Sequence, residues 1–189
     1  MENISQDAKP HDLSDQSPWE SFKKSAFRLE SLPEYRVDYE AKDYADYLAG
    51  KDVDITNNDG MIKWCDLVKS KIAVGARMDR ARIVCNPSTD YLRFEMTHAY
   101  EMTTKAGEVI RLISEDDFDL TCDDNELDVI FNRWGAIDFW LLDENHLLIM
   151  DYDDDGTYIG INESKDEEDL RDAIKIRDAV MRINHFVEI

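Results

Sequence analysis

Residues 80–113, RARIVCNPSTDYLRFEMTHAYEMTTKAGEVIRLI, decide the fold class. Arg80 to Cys85 is a short β-branched run bounded by Asn86-Pro87 and reads as a strand. Past that proline, Leu92, Met96 and Ala99 recur at helical spacing, and Gly107 closes the helix. Val109, Ile110, Leu112 and Ile113 then form a second strand. A strand–helix–strand unit of this length predicts a parallel pair joined by a right-handed crossover.

Working upstream, Ile62, Leu67, Val68 and Ile72 predict a helix closed by Gly75, with Trp64 beside its apolar face. Lys51 to Gly60 reads as a loop, and Tyr39 to Ala49 as a short helix stopped by Gly50. Ser17 and Pro18 are good helix-start residues, and Trp19, Phe22, Ala26 and Leu29 make one apolar stripe, so a helix is expected up to Leu32-Pro33. Residues 1–15 carry almost no apolar side chains and are expected to be a disordered acidic tail, which leaves 16–189 as the folded domain.

Downstream of an acidic connection, Ile137–Leu142, His146–Asp151 and Thr157–Ile161 predict three strands joined by short polar turns, an antiparallel meander. A long helix from Asp166 to Phe186 follows, with Leu170, Ala173, Ile174 and Met181 at helical spacing. The expected architecture is a single α/β (α+β) domain: a mixed sheet of about five strands with helices packed on it.

Among 189 residues, 43 are Asp or Glu and 22 are Lys or Arg, giving 22 − 43 = −21. A field this negative argues against direct binding of nucleic acid or of an anionic membrane. No apolar run approaches the ~20 residues of a transmembrane span, and the first residues do not read as a secretory signal. Cys65, Cys85 and Cys122 are odd in number and widely spaced, which suits a reducing, cytoplasmic setting. The charge is concentrated: residues 113–169 hold twenty acids against Arg133 and Lys165, net −18. Such a segment either docks a basic partner or keeps the protein soluble, since acids also collect at turns and helix starts. Asp151, Asp153, Asp154 and Asp155, with Asp116, Asp117, Asp123 and Asp124, are the candidate docking residues. A third reading is a decoy whose acids imitate a phosphate backbone.

Asp151 to Gly156 places acids at relative positions 1, 3 and 5 and glycine at 6, as a calcium loop does. Asn162 replaces the twelfth-position glutamate and a strand precedes the loop, so a hairpin turn is the expectation and no metal is assigned. His11, His98, His146 and His185 form no ligand pair, and nucleophile-elbow and phosphate-loop motifs are absent, so neither catalytic residues nor cofactors are assigned. Arg28, Arg80, Arg82, Arg93 and Arg111 sit in or beside apolar runs, as do Glu30, Glu95, Glu108, Asp138 and Asp143. Arg28, Arg80, Arg82 and Arg93 with Glu95 could form a pocket for a small anion. The alternative, structural ion pairing among these elements, is the commoner use of such residues.

Several motifs together resemble a bacterial family of uncharacterised domains. They are Ser25-Ala26-Phe27-Arg28-Leu29-Glu30, Arg80-Ala81-Arg82-Ile83-Val84, Pro87 to Glu95, Ala106-Gly107-Glu108, Asp138 to Asp143, and Tyr152 to Gly156 with Gly160. The resemblance spans residues 19–183 and implies a regulatory role, because members are often encoded beside helix-turn-helix regulators. The segment from Phe118 to Trp134 is longer and more acidic than the family pattern. The chain is also distantly similar to one half of a phospholipase D-type domain. Aligned on Asp143, it has Ala136 and Asp138 where that motif has its histidine and lysine, so the likeness implies a scaffold without that chemistry. These readings converge on a cytoplasmic, non-enzymatic regulatory module docking a basic partner such as a helix-turn-helix protein. An anion sensor or divergent phosphodiesterase-like enzyme is the alternative, and the oligomeric state is open.

Overall fold

Ser25–Glu30 forms strand β1, at the centre of the sheet. In the sequence this stretch reads as the end of a helix, and the structure corrects that: α1, Pro18–Ser21, is a single turn. Residues 19, 22, 26 and 29 fit a helical stripe, but from Ser25 onward the burial has period two. Phe27 and Leu29 enter one apolar core while Ala26 enters the other. Ladders on both sides of β1 outweigh the helix propensity of Arg-Leu-Glu. The computed structural model describes residues 18–183, so the expected tail at 1–15 and Phe186 lie outside the described residues.

Helix α2, Ala41–Leu48, and a 3-10 turn at Ile55–Asn57 lead into α3, Asp59–Ala73, capped by the Asn58 side chain on the Met61 N–H. Strand β2, Arg77–Val84, pairs parallel with β1. Helix α4, Asp90–Phe94, is capped by Thr89, passes through a π-helical turn at Glu95–Ala99 and continues as α5, Tyr100–Ala106. Strand β3, Val109–Ser114, pairs parallel with β2, as the sequence pattern predicts.

The acidic connection is itself helical: α6, Glu115–Asn125, and α7, Asp128–Trp134. Ser114 caps α6, and Glu115, Asp116 and Asp117 suit its positive end. Too few apolar residues (Phe118, Cys122, Ile130, Phe131) are buried for the periodicity to stand out. The meander β4 (Phe139–Leu142), β5 (His146–Tyr152) and β6 (Tyr158–Ser164) is antiparallel throughout, and α8, Glu167–Val180, follows it.

The result is a single-domain α+β fold on a mixed, open six-stranded sheet, order β3-β2-β1-β4-β5-β6, with β1 as the strand beyond the expected five. Its faces are covered differently. Phe27, Leu29, Ala81, Ile83, Phe139, Leu141 and Leu147 pack under α6, α7 and α8. Ala26, Met78, Trp140, Leu142, Leu148 and Met150 pack under α3, α4 and α5. Among the described residues, no helix is long and apolar enough to cross a membrane.

Candidate functional site: a charged, aromatic cavity on one sheet face

Period-two geometry turns Arg28 and Glu30 of β1, and Arg80 and Arg82 of β2, toward the α3–α5 side of the sheet with Ala26 and Met78. Arg28 and Arg80 stand opposite each other in register, an arrangement that is unfavourable for like charges. Glu30 resolves it: its Oε1 accepts from Arg80 Nη1 at 2.5 Å and from Arg28 Nε at 3.3 Å. Arg80 Nε also donates to Glu108 at 2.9 Å, and Arg82 Nη2 to Glu95 at 2.9 Å. Arg28 reaches Asp138 at 3.2 Å and the Tyr152 hydroxyl at 2.9 Å. Trp140 lies against both Arg28 and Arg80, at 5.6 and 5.7 Å from its ring, and Tyr35 lies 4.9 Å from Arg82.

Arg28, Arg80, Arg82, Glu30, Glu95, Glu108 and Asp138 are all buried. Against the push of burial, Arg80, Arg28 and Arg82 hold the Glu30 carboxyl down at about 2. Asp138 accepts from the Ser31 N–H and hydroxyl and from the Tyr35 hydroxyl, which fixes the chain where it leaves β1. Asp143, at the β4–β5 turn, accepts from the backbone N–H groups of Lys23, Lys24 and Ser25 and fixes the start of the same strand. Against burial, these three N–H groups hold its carboxyl below the usual aspartate range.

Glu30, Arg80 and Glu95 of this network line a cavity of about 340 Å³, walled also by Trp19, Tyr35, Tyr39, Glu40, Tyr91, Tyr152 and Tyr158. An adjoining lobe, bounded also by Trp64, Tyr100 and Trp140, shares Glu30, Glu40, Arg80 and Glu95. The π-helical turn places Glu95 in both; π-turns of this kind often mark functional sites. Glu40 is the group that the sequence reading did not single out. It sits at the start of α2, buried, accepting a hydrogen bond from the Tyr91 hydroxyl at 2.9 Å. Burial and the facing Glu95 carboxyl push it up to about 8, with the Tyr91 hydrogen bond opposing. Burial likewise pushes Glu95 up, partly offset by Arg82. Trp19 Nε1 and Arg28 Nη1 are buried donors without a protein partner, groups that an ordered water or bound molecule would satisfy.

Of the arginines singled out from sequence, Arg28, Arg80 and Arg82 converge here with Glu95. Arg93 does not: it is exposed on the outer side of α4, paired with Asp90 at 2.5 Å. The three buried guanidiniums, Arg28, Arg80 and Arg82, are engaged by carboxylates, and Arg80 also lines the cavity. The ion-pair reading therefore describes their contacts, and a cavity opens beside them.

The acidic candidates divide between two places. Asp116, Asp117, Asp123 and Asp124 lie on α6, which follows edge strand β3. Asp151, Asp153, Asp154 and Asp155 lie at the β5–β6 hairpin on the other side of the sheet. The Asp151–Gly156 segment is the expected hairpin turn. Asp153 Oδ1 accepts from the Asp155 and Thr157 N–H groups, and Gly156 has φ +76°. A Cβ at Gly156 would lie 2.5 Å from the Glu34 carbonyl oxygen, so this turn packs closely on the segment that carries Tyr35. Among the described residues, no group of three or more His, Cys, Asp or Glu side chains is arranged to hold a metal ion. All three cysteines are free.

No curated protein matches the sequence. A family model does, over residues 15–184, and it is described as a domain of unknown function, DUF6879. With that match covering nearly the whole chain and the whole of the described fold, the protein belongs to the DUF6879 family.

Proposed function

We propose that this domain is a non-enzymatic regulatory module that docks a basic partner protein, such as a helix-turn-helix regulator, through its acidic surface. The observation that carries the reading is the freedom of the acids outside the buried network. Asp116, Asp123, Asp124, Asp151 and Asp154 are exposed, and none has a Lys or Arg salt-bridge partner among the described residues; Asp153 and Asp155, also exposed, lie beside Arg36, Asp155 at 3.5 Å. Their field is directed to solvent, where it steers a cationic surface and is weakened by salt. By contrast, the buried arginines Arg28, Arg80 and Arg82 are engaged by carboxylates, which leaves little positive potential for an anionic substrate.

The test is affinity capture from extract of the producing cell at low and at moderate salt. It compares the natural chain with two triple variants, Asp153→Asn/Asp154→Asn/Asp155→Asn and Asp116→Asn/Asp123→Asn/Asp124→Asn. The expected result is a basic partner retained at low salt, released by moderate salt and lost with at least one variant. A partner held equally by all three proteins, or none at either salt, contradicts the proposal.

A further inference from the structure

We infer that the cavity beside β1 and β2 is a binding site for an organic ammonium ion, held between the Glu40 and Glu95 carboxyls and enclosed by aromatic rings. This is separate from the acidic docking surface, since neither glutamate belongs to it.

Glu40 and Glu95 are 6% and 5% exposed, so each is more than nine-tenths buried. Oε2 of Glu40 accepts from Tyr91, and Oε2 of Glu95 takes both contacts from Arg82. Among the described residues Oε1 of each accepts no hydrogen bond, and both side chains line the cavity. A carboxylate can accept about four hydrogen bonds, so both groups are under-used on the cavity side.

Charge and shape select the ligand. The buried network holds five carboxyls (Glu30, Glu40, Glu95, Glu108, Asp138) against three guanidiniums (Arg28, Arg80, Arg82), and Glu30, Glu40 and Glu95 line the cavity. A second anion would add to this repulsion, whereas a cation relieves it. A bare divalent metal requires more oxygen ligands than two carboxyls supply, and no such group is assembled among the described residues. The walls are instead aromatic faces: Tyr39, Tyr91, Tyr35 and Trp19 surround the opening, the surroundings in which an ammonium with an apolar stem is favoured. Tyr39 lines the cavity with 46% of its surface exposed while its hydroxyl end is buried near Glu40, and its ring base rests on Gly60, where a Cβ would come within 2.4 Å. Arg36 and Lys63, the other lining cations, are exposed, and Arg36 faces Asp155. The raised affinity of Glu40 for its proton fits the same picture. Burial is its main cause, with Glu95 and Glu30 adding to it and the Tyr91 hydroxyl and Arg80 opposing.

An ammonium of this shape occurs both on free amines and on the lysine side chain, whose end is a butylammonium. The test is isothermal titration at physiological salt with butylammonium, with an acetylated and amidated tetrapeptide carrying one lysine, and with butanol as the uncharged control. The expected result is saturable binding of at least one cationic probe and none of butanol. Affinity should fall at least tenfold in Glu40→Gln and in Tyr39→Ala, and stay unchanged in Asp153→Asn/Asp154→Asn/Asp155→Asn. Butylammonium binding assigns a free amine; binding of the peptide alone assigns a partner's lysine. Thermal melts establish that both cavity variants are folded, and Tyr39, half exposed, can be removed without emptying the core. Absence of binding by both cations, equal binding by either cavity variant, or loss in the surface variant overturns the inference.

Discussion

The two faces of this sheet are made by the same strands and obey different physics. On the α6–α8 face, Leu29, Ala81, Phe139, Leu141 and Leu147 are almost fully buried against apolar helices, an arrangement held by area and packing. On the α3–α5 face, one residue further along β1 and β2, the same depth is occupied by Arg28, Glu30, Arg80 and Arg82. Burying such groups is costly and is offset only when each charge is paired and hydrogen-bonded. A polar face maintained at that cost, beside a cavity, is the face to examine for function, whereas the apolar face serves as scaffold.

The contrast can be broken most severely at Arg82, which is fully buried against Glu95. Arg82→Met strands that carboxylate and should lower unfolding stability in urea by about 3–5 kcal/mol. Adding Glu95→Leu should recover most of the loss, because the stranded charge is then gone. On the apolar face, Leu29→Ala should cost about 2–5 kcal/mol, and no second substitution of a charged group should rescue it.

The faces also separate by pH. Glu40 keeps its proton up to about pH 8 in the folded protein, whereas the unfolded group releases it near 4.5. Its contribution to stability is therefore complete below pH 4.5 and is lost as pH rises to about 8. Glu30 runs the other way: held at about 2, it contributes above pH 4.5 and the contribution disappears as pH falls toward 2. In thermal melts, Glu40→Gln should therefore gain on the natural protein progressively from pH 5 to pH 8, and then level off. Leu29→Ala should show a constant offset over the same range. The smallest effect is expected far from either core: Asp154→Asn should change stability by less than about 0.5 kcal/mol at any pH.

How much of this the sequence disclosed follows the same division. Apolar periodicity locates α3, the helix after Pro87, β2, β3, the meander and α8, because each buries a regular stripe or alternation. It misses β1, whose polar side chains alternate correctly for a strand but are buried, so the segment also satisfies a helical stripe. It misses α6 and α7, where most positions are acidic and exposed. For the site, Arg28, Arg80, Arg82 and Glu95 are legible because charges embedded in apolar runs must find partners. Arg93 carries the same local signal yet lies outside, since spacing along a helix does not tell which side faces the sheet. Glu40 gives no signal: it precedes an ordinary helix, and only the approach of Tyr91 from α4 encloses it.

The Glu40 and Glu95 carboxyls on the polar face are held out of their ordinary range by burial and by the carboxyls that face them. Following the glutamate side-chain carboxyl carbons by NMR between pH 2 and pH 9 measures this directly. The account predicts that Glu40 titrates at about pH 8 while Glu30 stays ionised down to about pH 2. A Glu40 carboxyl that titrates at its ordinary value of about 4.5 would contradict this.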